Sequence, residues 1–74
     1  MRAIQKRFGQ TVRRLRAQAG YSQESFAAAA GIHRTHMGKI ENGVVALSII
    51  KIEQIAIALE LSPSELLAVM ERED

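Results

Sequence analysis

Apolar residues recur at helical spacing along most of this chain, and no convincing run alternates as a strand would. Ile4, Phe8, Val12, Leu15 and Ala19 fall on one narrow stripe and predict a first helix over about residues 3–19, with Arg2, Lys6 and Arg13 opposite. Gly20 suits its end, because glycine enters the left-handed conformation at little cost. Ser22 is a good N-cap for a second helix over about 23–30, and Tyr21 and Phe26 stand at hydrophobic-staple spacing around it. Gly31 interrupts that helix. A third, over about 33–42, turns Met37 and Ile40 inward, leaves Arg34, Thr35, Gly38 and Lys39 outside, and stops at Asn42-Gly43. Ser48 caps a fourth over about 49–60, with Ile49, Ile52, Ile55, Ala56 and Leu59 as its main stripe. Ile50 and Ile57 form a second stripe, about 90–100° round from Ile49. Ser62-Pro63-Ser64-Glu65 opens a fifth helix with an N-cap, a first-turn Pro and a capping-box Glu, and Leu66, Leu67, Val69 and Met70 follow. The acidic end, Glu71-Arg72-Glu73-Asp74, is expected to fray. The pattern is all-α.

Length makes this one small domain, residues 1–74, burying only about 60% of the surface its unfolded chain exposes. With no Cys, neither disulfides nor a Cys-based zinc site can help it fold. Good helix packing or a partner subunit must do so. No apolar run approaches the 18 or so residues of a membrane span, and no signal-peptide block is visible, so the cytoplasm is the expected compartment. The formal charge of +2 hides an asymmetry: residues 1–23 carry +6, residues 24–50 balance, and residues 51–74 carry −4. A basic front and an acidic back suit a polyanion on one side, although a solvated charged surface would look the same.

Two short helices separated by a tight turn containing a Gly suit a helix-turn-helix over about residues 22–42. Gln23, Ala27, Gly31, Met37 and Ile40 sit at the key spacings of the helix-turn-helix of phage repressor and Cro proteins, which the stretch YSQESFAAAAGIHRTHMGKIENG resembles throughout. The first helix and the last two match that family's five-helix domain in length and order. The resemblance therefore implies a compact lambda-repressor-like DNA-binding fold, with helices 4–5 (about 48–72) completing the core and serving dimerisation. Within the family the chain looks most like the controller proteins of restriction–modification systems, which are similarly short and open the recognition helix with the His-Arg-Thr found here at 33–35. Controllers usually carry Arg and Asn in the loop after that helix, where this chain has Val45 and Ala46.

A recognition helix presents its N-terminal residues to base edges in the major groove. Arg34 can bond bidentately to guanine, Thr35 offers a hydroxyl and a methyl, and Lys39 lies one turn further on. The resemblance implies that these three read bases. It also implies phosphate or backbone contacts for Ser22, Gln23, His33, His36 and Asn42, those at the second helix aided by its N-terminus. It implies a partly buried ion pair for Arg16 and Glu41. Arg13 and Arg14 read as ordinary surface cations, with a place near phosphate left open. His33 and His36 have no acidic or Cys ligand beside them, so no metal is expected, and no cofactor.

One recognition helix reads too few base pairs for a useful regulator, so a homodimer on a palindromic operator is expected, with half-sites about 34 Å apart. Val44, Val45, Ile50, Ile57, Leu66 and Met70 are the candidate interface, with the division between interface and core open. The expected partners are double-stranded DNA and a second copy, without membrane or small-molecule ligand. The expected activity is sequence-specific regulation of transcription, as a repressor or a restriction–modification controller. The alternative is the antitoxin or interaction module of a toxin–antitoxin pair. An enzyme is not expected, because no nucleophile–base pair, carboxylate dyad or phosphate loop is present.

Overall fold

The computed structural model describes residues 3–73. Arg2, placed above on the polar face of the first helix, and Asp74, at the end of the acidic tail, lie outside the described residues. Five α-helices follow one another: α1 (Ile4–Gln18), α2 (Gln23–Ala30), α3 (Arg34–Glu41), α4 (Ile49–Ala58) and α5 (Pro63–Arg72). None of them is long and apolar enough to cross a membrane.

The local signals act as their chemistry dictates. Ser22, Ser48 and Ser62 each take an extended conformation and accept a hydrogen bond from the third backbone N–H of the helix that follows, satisfying a donor that the helix itself cannot. Tyr21 and Phe26 meet across the start of α2, ring centroids 5.3 Å apart and tilted. Gly31 ends α2 at φ 71°, a left-handed turn that costs glycine nothing, and Ile32 N–H closes the turn on Ala27 C=O.

α3 packs on α1 and α2, α4 packs on α2, and α5 packs on α1 and α4. Val12, Phe26, Met37, Ile40, Ile55 and Leu66 are fully buried where these helices converge, with Phe8, Ala27, Ala30, Ile32, Ala56 and Met70 around them. Burying each large side chain is worth about 1.5–3 kcal/mol against the entropy of ordering the chain. The α2–α3 pair is thus clamped from below, and its outer surface is what the fold displays.

Several expectations are corrected. Ile49 is 82% exposed, because it stands at the edge of the α4 stripe on the helix's first turn. Ile4 and Ala19, at the two ends of the α1 stripe, are exposed for the same reason. α4 ends at Ala58, two residues early: Glu60 adopts φ 60° and Leu61 N–H reaches back to Ala56 C=O. Leu66 and Met70, placed among the interface candidates, are buried inside the protomer against α1 and α4. The acidic tail is not frayed as far as Glu73. Its carboxylate accepts a 2.7 Å hydrogen bond from the Thr11 hydroxyl and pairs with Arg14, so the basic face of α1 holds it.

Candidate nucleic-acid interface

α3 is amphipathic in a way its packing makes strict. Met37 and Ile40 are fully buried and so is Glu41, which leaves Arg34, Thr35, Lys39 and the C-cap Asn42 exposed. At 100° per residue, Thr35, Lys39 and Asn42 lie within an arc of about 60°, with Arg34 on the flank toward α2. On that flank, Arg34 Nη1 donates to Glu24 Oε2 at 3.3 Å, both side chains being well exposed. The Arg34 guanidinium is therefore held beside the start of α2 by an exposed, weak pair.

Other candidate residues have polar atoms committed to the fold. The Ser22 hydroxyl caps α2, accepting from Ser25 N–H at 3.0 Å. His33 caps α3 through Nδ1, which accepts from Thr35 N–H at 3.1 Å. Gln23 turns its side-chain amide inward over Gly38, and Nε2 donates to Glu41 Oε1 at 3.2 Å. Asn42 Oδ1 accepts from Arg13 Nη2 at 2.8 Å. His36 is half-buried. Beside these side chains, α2 and α3 carry the first-turn backbone N–H groups that neither the helix nor the caps on Ser25 and Thr35 N–H satisfy.

Glu41 is the hub beneath this surface. Its side chain is 0% exposed and accepts from Arg16 Nε at 2.7 Å and Nη2 at 3.0 Å. Arg16 also donates to Tyr21 C=O, so one guanidinium joins α1, the start of α2 and the end of α3. The hydrogen bond to Glu41 is the main reason that Arg16 holds its proton even more tightly than an ordinary arginine. Arg13 Nε approaches the same carboxylate at 3.4 Å.

Sequence reasoning left Arg13 and Glu24 without these roles. For Arg13 a signal was present: it stands three residues before Arg16 and so shares a face of α1 with it. For Glu24 there was none, since its contact with Arg34 depends on how α2 crosses α3. Among the described residues, no group of three or more His, Cys, Asp and Glu side chains is arranged to hold a metal ion.

Ile49, Ile50, Ile57 and Val44 are exposed over most of their surface. A shallow, largely apolar groove runs between the start of α4 and the start of α5, lined by Ile49, Ile50, Ile52, Glu53, Pro63 and Leu67. Val45, also a candidate there, is half-buried against the core.

Comparison with known proteins agrees with this geometry. The helix-turn-helix family matches residues 12–66. Control protein C.MunI from Mycoplasma is 39% identical over 74 residues, covering 99% of this chain and all of that protein. The restriction–modification controller protein C.AhdI from Aeromonas hydrophila superposes with a TM-score of 0.82 at 38% identity, over 88% of this chain and 98% of that one. SinR, a master regulator for biofilm formation whose crystal structure is a complex with DNA, superposes with a TM-score of 0.75 at 30% identity, over 81% of this chain and 97% of that one. By these matches the chain belongs to the helix-turn-helix family and, within it, groups with the restriction–modification controller proteins.

Proposed function

We propose that this protein is a sequence-specific regulator of transcription that binds double-stranded DNA in the major groove, as a repressor or a restriction–modification controller. The observation that carries the reading is the outer face of α3, where Arg34, Thr35 and Lys39 stand exposed on a helix fixed from behind by Met37 and Ile40. Arg34 and Lys39 suit guanine, and Thr35 suits a thymine methyl or a base-edge acceptor. Ser22, Gln23 and His33 bring the first turns of α2 and α3 to the sugar–phosphate backbone, with His36 and Asn42 bordering it along α3. Two protomers, related by a two-fold axis and joined through Val44, Val45, Ile50 and Ile57, read a palindromic operator in the cytoplasm. α4 and α5 complete the core and carry that contact, and no catalytic step or cofactor enters the scheme.

The test is selection of binding sites from a random duplex library at about 150 mM salt, where phosphate contacts alone weaken sharply. The expected result is a two-fold symmetric motif with half-sites about 10 base pairs apart. An unenriched library would sink the reading.

A further inference from the structure

Arg13 and Arg14 are neighbours on α1, and the fold treats them differently. Arg14 is paired with Glu73 of the C-terminal tail, so its charge is offset within the protein. Arg13 is drawn to the end of α3: Nε lies 3.4 Å from Glu41 Oε1 and Nη2 donates to Asn42 Oδ1 at 2.8 Å. Glu41 has already committed both carboxylate oxygens to Arg16. One carboxylate thus faces two guanidinium groups, and one positive charge is left over. It sits on Arg13, whose side chain is 52% exposed while Glu41 is sealed beneath it. A guanidinium has five donors, and these two contacts leave others for a ligand.

The position of that charge is informative. Asn42, to which Arg13 is tied, lies on the same arc of α3 as Thr35 and Lys39. From Arg34 to Asn42 the helix advances by about 12 Å, close to the width of the major groove. A helix whose first turn meets base edges therefore brings its last turn toward the phosphates of one strand. Lys6, two turns earlier than Arg13 on α1, lies with its backbone against the site of Gly43, so a second cation borders the same end of α3.

We infer that Arg13 is a phosphate-binding residue of the DNA interface, with Asn42 and Glu41 as positioning residues that fix its guanidinium. This rests on the DNA-binding reading above and adds to it a contact from outside the helix-turn-helix. Asn42 then acts through Arg13 instead of touching the backbone itself.

The experiment measures binding of selected and unrelated duplexes by wild type and Arg13→Gln between about 50 and 200 mM salt. It is repeated on duplexes carrying single neutral methylphosphonates along each strand. The expected result is a loss on the order of tenfold for both kinds of duplex, with the salt slope reduced by about one and the base preference kept. At one backbone position, the methylphosphonate weakens wild type but not Arg13→Gln. Wild-type affinity, slope and methylphosphonate profile in Arg13→Gln, beside an Arg34→Ala control that loses base preference, would overturn the assignment and leave the DNA-binding reading standing. Wild type that binds no duplex at all would overturn both. If thermal unfolding shows Arg13→Gln to be destabilised, Arg13→Lys decides: a restored slope supports the phosphate contact, and a slope like that of Arg13→Gln overturns it.

Discussion

Glu41 shows how much of this surface depends on one buried charge. Its carboxylate has no exposed side-chain area and is held by Arg16, Arg13 and Gln23 from two other helices. Replacing such a pair with apolar groups can be neutral, but removing one partner leaves the other uncompensated. Glu41→Ala is therefore expected to cost about 3–5 kcal/mol, against a total of roughly 4–11 kcal/mol for a chain of this length. Urea unfolding measures it, and a loss below about 1 kcal/mol would mean that the hub is not holding α1 to α3. Arg34 sits at the opposite extreme, exposed and held only by Glu24. Arg34→Ala is expected to leave stability within about 0.5 kcal/mol of wild type. It should cost about 1–3 kcal/mol of binding and relax the preference at one base pair, read by comparing operators substituted at each position. The arginine and the glutamate at this junction stood out by resemblance alone. The convergence of Arg13 and Gln23 on the same carboxylate did not, because it joins residues 28 and 18 positions away through a helix crossing that no local pattern encodes.

At the scale of the element, the caps were legible and the packing partners were not. Ser22, Ser48 and Ser62-Pro63 mark where helices start because the capping chemistry is complete within four residues. Which stripe faces inward depends on neighbours far away in sequence, and so Ile49 and Leu66 went opposite ways from expectation. The α5 capping box offers a pH test. Ser62 N–H donates to Glu65 Oε1 at 2.7 Å, and this bond holds the carboxyl below its ordinary value. A carboxyl with a lowered folded-state pKa adds stability above its unfolded value of about 4.3, and that stability is lost as pH falls through the folded value. Glu65→Ala should therefore lower the melting temperature at pH 7 and match wild type near pH 2. An undiminished gap in acid would show that the charge is not what the cap uses. Gly9 tests the α1–α3 crossing. A Cβ there would lie 2.4 Å from Ile40 O and 2.5 Å from Glu41 O, both backbone atoms. Alanine gains up to about 1 kcal/mol of helix propensity over glycine. Gly9→Ala is nevertheless expected to be net destabilising in calorimetry, because the two helices must part and the Arg16–Glu41 bonds cross that gap.

The whole molecule folds its charged ends together and leaves a set of apolar side chains in the open. Along the sequence the basic residues gather in α1 and the acidic ones toward α5 and the tail, and the fold brings the two ends together where Glu73 meets Thr11 and Arg14 of α1. Ile49, Ile50, Ile57 and Val44 remain exposed, apolar and without a role in the protomer's core. The second stripe on α4 was visible in the sequence because its period leaves Ile50 and Ile57 off the buried arc. Ile49 joins them only through its place on the first turn. A dimer through this face gives the surface a use and supplies the second half-site that one recognition helix lacks. Ile50→Glu separates that idea from ordinary surface exposure. At 67% exposed, Ile50 contributes little to the protomer, so the variant should unfold within about 0.5 kcal/mol of a monomeric wild type. In sedimentation at micromolar concentration, wild type should run as a dimer and Ile50→Glu as a monomer. The variant should then protect a single half-site, and only at far higher concentration, because the second protomer no longer arrives with the first. Wild type sedimenting as a monomer on its own, yet occupying both half-sites on DNA, would mean that the operator assembles the pair and that the α4 face is not a free-standing interface.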